Sequence, residues 1–112
     1  MLYTYKAIVT DVYDGDTITV LVDLGFHTKV QLRIRLYGIN TPELRGASRE
    51  AGLLARDRVN KLVLGKEVIL KTFKDKQEKY GRWLANVYLP GSEQSVNELL
   101  VEEKLAIPFM TE

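Results

Sequence analysis

Within the nine residues Arg35-Leu36-Tyr37-Gly38-Ile39-Asn40-Thr41-Pro42-Glu43 the chain carries a guanidinium, an amide and a carboxylate. A guanidinium offers a planar fork of donors to an oxyanion, an amide oxygen can ligate a hard cation, and a carboxylate can take up a proton. Another acid, Asp16, follows Asp14-Gly15 at the mouth of a strand, where turn chemistry requires no acid, and is a candidate ligand residue. Asp14 reads differently. Asp-Gly is a favoured two-residue hairpin connection in which Gly accepts positive φ, so Asp14 is taken as a turn former.

These groups need a scaffold, and the pattern around them supplies one. Val30, Leu32, Ile34 and Leu36 alternate with Lys29, Gln31, Arg33 and Arg35, the period of a strand with one buried face, which points Arg35 away from the core. Gly38 weakens that strand and Pro42 disfavours helix at Thr41, so Asn40 to Glu43 is expected as an exposed turn leaving the sheet. Upstream, residues 5–13 and 17–22 form a hairpin, and Asp23 to His27 is the next reversal. Downstream, Ala51, Leu54, Ala55, Val59, Leu62 and Val63 share one face of a helix that Ser48 can cap and Gly65 can end. A fourth strand covers Lys66 to Phe73, the charged run Lys74 to Gly81 reads as a surface loop, and a fifth strand covers Arg82 to Leu89. Ser95-Val96-Asn97-Glu98 has capping-box spacing and opens a short helix to about Lys104, followed by a docked tail. Five short strands with two flanking helices suit a small closed or partly open barrel of the all-β/α+β class, and a chain of 112 residues fits one domain, 1–112.

Composition removes whole classes of chemistry. The chain has no cysteine, which excludes disulfides, thiolate zinc sites and thiol nucleophiles, and its single histidine, His27, excludes a two-imidazole mechanism within one chain. Sixteen basic against fifteen acidic residues leave a net charge of +1, which argues against a generally sticky polycation and leaves any nucleic-acid affinity to a few placed arginines and lysines. The first residues lack the layout of a signal peptide and no apolar run reaches membrane-spanning length, which makes a cytoplasmic monomer without membrane contact the default expectation.

Asp14-Gly15-Asp16-Thr17, Arg35 to Glu43 and Lys79-Tyr80-Gly81-Arg82 resemble, in order, the three signature segments of the staphylococcal nuclease (thermonuclease) family, and Val96-Asn97-Glu98 resembles its last helix start. The resemblance implies a five-stranded OB-type barrel and a calcium-dependent nuclease that cleaves DNA and RNA with low sequence specificity, leaving 3′-phosphate ends. It also implies that Asp16, Asn40 and the carbonyl of Thr41 hold the calcium, that Glu43 activates water, and that Arg35 and Arg82 grip the phosphate. Lys79 and Tyr80 fall where family members contact a terminal phosphate. The chain departs from the pattern in a shorter loop after Glu43, in stopping before the family's last helix, and in Asn40 where an aspartate is usual. That last departure keeps alive a second reading, a nucleic-acid-binding module of the same family that has lost catalysis.

Overall fold

The computed structural model describes residues 2–77 and 79–109. In chain order its elements are β1 (Leu2–Asp14), β2 (Thr17–Asp23), β3 (Lys29–Leu36), β4 (Ile39–Asn40), a 3-10 turn (Gly46–Ser48), α1 (Arg49–Val63), β5 (Glu67–Gln77), β6 (Trp83–Tyr88), α2 (Val96–Glu102) and β7 (Ile107–Pro108). Five of the strands close a barrel in the order β1-β2-β3-β6-β5, with β3 and β6 parallel, as the OB-type expectation requires. Every second side chain points inward, so Val9, Ile18, Val20, Val22, Ile34, Leu36, Val68, Leu70, Ala85 and Val87 fill the centre. Fully burying an aliphatic side chain of this size contributes about 1.5–3 kcal/mol, which makes the alternation the main determinant of register.

Both helices serve the strand ends at which the signature residues lie. On α1 the buried face is Gly52, Ala55, Val59 and Val63, and Leu54, expected inside, is 63% exposed. The helix is rotated because Gly52 lies directly on a neighbouring backbone: a Cβ there would come within 2.5 Å of the carbonyl oxygen of Glu43. On α2 the capping box of Ser95 and Glu98 forms as expected. Between them, Asn97 is buried and its amide holds three backbone groups: Nδ2 donates to the carbonyls of Tyr37 at 2.9 Å and Ala85 at 3.2 Å, and Oδ1 accepts from the Val87 N–H at 3.0 Å. Removing that side chain would leave buried backbone groups unsatisfied, at about 1–3 kcal/mol each.

Three sequence expectations are corrected. Residues 39–40 are not a free turn: β4 pairs with β7, with Ile39 opposite Pro108 and Asn40 opposite Ile107, and the Phe109 N–H donates to the Gly38 carbonyl at 2.8 Å. Thr41 is buried. Ser48 does not cap α1, because its backbone is already helical after the 3-10 turn; its hydroxyl donates instead to the carbonyls of Glu43 and Arg45. β5 does not end at Phe73 but runs to Gln77, its register jumping from Thr72 opposite Ala85 to Gln77 opposite Trp83, so the first half of the expected charged loop is one arm of a hairpin. Backbone pairing along a protruding arm does not require apolar side chains. Glu78, also within that expected loop, lies outside the described residues. Among the described residues no helix is long and apolar enough to cross a membrane.

Candidate active site

The tip of the β1–β2 hairpin is the centre of the site. Its two-residue connection is Gly15-Asp16, and neither residue has positive φ. Gly15 is needed for a different reason from the one expected. A Cβ on it would stand 2.8 Å from both the Ala55 Cβ and the Thr41 Cγ2, so only glycine lets the tip press between α1 and the segment after β4. The close approach aims Asp16 across the gap. Its Oδ2 accepts from the Thr41 N–H at 3.1 Å and its Oδ1 from the Thr17 hydroxyl at 3.2 Å, and the Leu36 N–H donates to its carbonyl at 2.9 Å.

Arg35 and Arg82 stand on either side of Asp16-Thr17. Arg35 lies opposite Thr17 in the β2–β3 ladder, with Nη1 3.5 Å from Asp16 Oδ2 and Nη2 donating to Asn40 Oδ1 at 3.3 Å. Its side chain is only 9% exposed, which corrects the outward, solvated arginine read from strand alternation. The outer face is itself covered here, by Asp16, Asn40 and the ring of Phe109, whose centroid is 5.9 Å from the guanidinium carbon. Arg82 reaches the same place from the start of β6, Nη1 donating to the Thr17 hydroxyl at 2.7 Å. The Tyr80 ring lies 5.8 Å from the Arg82 guanidinium and 5.1 Å from the Lys79 ammonium.

The structure adds a residue that the sequence reading set aside. Asp14 does act in the turn, its Oδ1 accepting from the Asp16 N–H at 3.1 Å, but its carboxyl also meets that of Asp16. Burial first, then the hydrogen bond to Asp16 and the charge of Asp16, push its pKa up to about 6. Two carboxyls in contact with partial burial favour a shared proton or a cation between them. The D-x-D spacing was the available signal, since both acids flank one tight turn.

Glu43 stands apart. Its carboxylate is in solvent and pairs with Arg45 at 3.6 Å, and among the described residues no hydrogen bond or ion pair joins it to Asp16, Arg35 or Arg82. What fixes Glu43 is its backbone, which lies under Gly52 of α1 and accepts from Ser48.

A hard cation fits the donors assembled. Asp14 and Asp16 supply carboxylate oxygens, Asn40 an amide oxygen facing the same guanidinium as Asp16, and the Thr41 hydroxyl is buried with no hydrogen-bond partner. The set is all oxygen, as calcium prefers. Among the described residues no three His, Asp or Glu side chains gather into one cluster, so neutral oxygens would have to complete any shell.

A closed five-stranded barrel with two flanking helices defines an OB-type domain. A family model described as staphylococcal nuclease homologue matches residues 33–111, and the chain belongs to that family. No curated protein matches the chain in sequence. Family membership assigns it a nuclease or nucleic-acid-binding function.

Proposed function

We propose that the protein is a calcium-dependent phosphodiester hydrolase, an endonuclease acting on DNA or RNA with low sequence specificity and leaving 3′-phosphate ends. The observation that supports this reading is that the guanidiniums of Arg35 and Arg82 both reach the Asp16-Thr17 pair, Arg35 Nη1 lying 3.5 Å from Asp16 Oδ2 and Arg82 Nη1 donating to the Thr17 hydroxyl at 2.7 Å. Asp16, the Asn40 amide oxygen and the Thr41 carbonyl would hold the calcium, with Asp14 beside them. Bound there, the ion would polarise a phosphoryl oxygen.

The chain's own groups do the rest. Arg35 and Arg82 donate to the phosphoryl oxygens as negative charge grows on them, each worth roughly 10²–10³ in rate by analogy with other positioned donors. Glu43 takes a proton from the attacking water, a role worth about 10²–10⁴. Its exposed carboxylate can serve only after leaving Arg45, a weak surface pairing of at most about 1 kcal/mol. Attack on phosphorus breaks the bond to the 5′ oxygen, which leaves as a hydroxyl after taking a proton from solvent, and the phosphate stays on the 3′ side. Low specificity follows because every proposed contact is to phosphate and none reads a base edge.

The test is incubation of end-labelled single-stranded DNA with calcium or with chelator. Cleavage with calcium alone, reduced at least a hundredfold in Glu43→Gln and in Arg82→Ala with the fold intact by circular dichroism, is the expected result. Wild-type rates in either variant would remove that residue from the mechanism. The second reading, a binding module without catalysis, draws on Asn40 in a ligand position and on Glu43 held off in solvent. Binding with no fragments under either condition would select it.

A further inference from the structure

Arg33 lies outside the set described so far. It sits two residues before Arg35 on β3 and on the same face, so the two Cα atoms are about 6.8 Å apart, a separation of the same order as that between successive phosphates on an extended nucleic-acid strand. Across the ladder it faces Thr19, as Arg35 faces Thr17, so the row beside it on β2 is short and uncharged. Asp11, the acid in that cross-strand row, is two strands away, roughly 10 Å, and makes no ion pair with Arg33 among the described residues.

The Arg33 guanidinium is exposed but not loose. Its Nη2 donates to the Tyr80 carbonyl at 3.2 Å and would lie 3.7 Å from a Cβ on Gly81, so it rests against the turn that carries Lys79, Tyr80 and Arg82. One of its five N–H groups is used there, and among the described residues the others have no protein acceptor. A long side chain already anchored loses less freedom on binding.

We propose that Arg33 holds the phosphate next to the scissile one, making Arg82, Arg35 and Arg33 a track for at least two consecutive phosphates of a single strand. This rests on the reading of Asp16, Arg35 and Arg82 as a phosphodiester site. It would let a chain of net charge +1 bind a polyanion, since Arg33 and Arg35 on β3 are joined by contacts to the turn that carries Lys79 and Arg82, through the Tyr80 carbonyl and the Thr17 hydroxyl. The competing role is purely mechanical, with Arg33 pinning the hairpin through Tyr80.

The two are separated by measuring binding of a fluorescent oligothymidylate in chelator, across a salt series, for the wild type, Arg33→Ala, Arg33→Gln and Arg33→Lys. Gln keeps a donor for the Tyr80 carbonyl and removes the charge. A phosphate contact predicts that Ala and Gln both weaken binding about tenfold at low salt and flatten the slope of log K against log salt by about 0.7, while Lys retains most of that slope. Wild-type affinity and slope in Arg33→Gln would overturn the proposal in favour of the pin. Because cleavage is not the readout, a protein that binds through Arg33 but never cuts would refute the nuclease reading and leave this one standing. A wild type that does not bind the oligonucleotide would end this proposal and leave the nuclease reading to the cleavage assay with calcium.

Discussion

Asp14, Asp16, Arg35 and Thr41 are buried or half-buried and Asp16 is joined to each of the other three, whereas Lys79, Tyr80 and Gly81 stand exposed at a hairpin tip tied down by carbonyl contacts from Arg33 and Gln77. The first group is clamped by packing, with Gly15 and Gly52 letting the hairpin tip and the Glu43 backbone lie directly against α1. The second is an arm. A site that positions ligands and a scissile phosphate needs fixed geometry, because small displacements cost large factors in rate, while electrostatic attraction by exposed cationic side chains on an arm tolerates movement. Substitutions in the packed region should therefore act on fold and chemistry at once, and substitutions on the arm on affinity alone.

Gly52→Ala is the severest way to break this contrast. Alanine's helix propensity alone would raise stability by about 1 kcal/mol, but a Cβ 2.5 Å from the Glu43 carbonyl forces backbone apart, at about 1–3 kcal/mol. Denaturant titration should show a net loss with reduced cleavage, and a variant as stable and active as the parent would mean that α1 does not position Glu43. Asn40→Asp comes next. Adding a carboxylate to the proposed ligand set should lower the calcium concentration for half-maximal cleavage by about tenfold or more, since ligand charge sets calcium affinity. An unchanged calcium requirement would exclude residue 40 as a ligand.

The Asp14 carboxyl gives a pH test of the packed region. Its folded pKa, pushed up to about 6, exceeds the ordinary value of 3.8, so the folded state holds a proton that the unfolded state releases. That contribution to stability is fully present below about pH 4 and is lost as pH rises through about 6. In chelator, the wild type should lose stability relative to Asp14→Asn across this window, and parallel pH profiles would show that the two carboxyls do not interact. The smallest effect belongs to the arm. Tyr80→Ala removes a ring facing Lys79 and Arg82, contacts worth about 0.5–1 kcal/mol each at exposed sites, so KM should rise a few-fold with kcat and melting temperature nearly unchanged. A large fall in kcat would move Tyr80 into the packed region.

Much of this was legible from local pattern. The period-2 runs of β2, β3 and β6, the capping box of α2 and the order of the three polar segments each depend on neighbours in sequence, and each appears where the sequence put it. What could not be read depended on partners distant in the chain. The burial of Arg35 comes in part from Asp16 and Phe109, the strand at 39–40 from residues 107–108, and the true reason for Gly15 from Ala55 and Thr41. The Asp14 contact with Asp16 was within reach of the sequence, but the turn-former reading accounted for Asp14 fully enough to hide it.

The pairing of β4 with β7 has a consequence for timing. Asn40 is held by residues made nearly seventy positions later, and the barrel edge beside Arg35 is closed only by β6. Contacts of such long sequence separation form late. On the ribosome, the polypeptide must emerge through Phe109 before the pairing that holds Asn40 can form, so the segment beside Arg35 is among the last parts of the barrel to be secured.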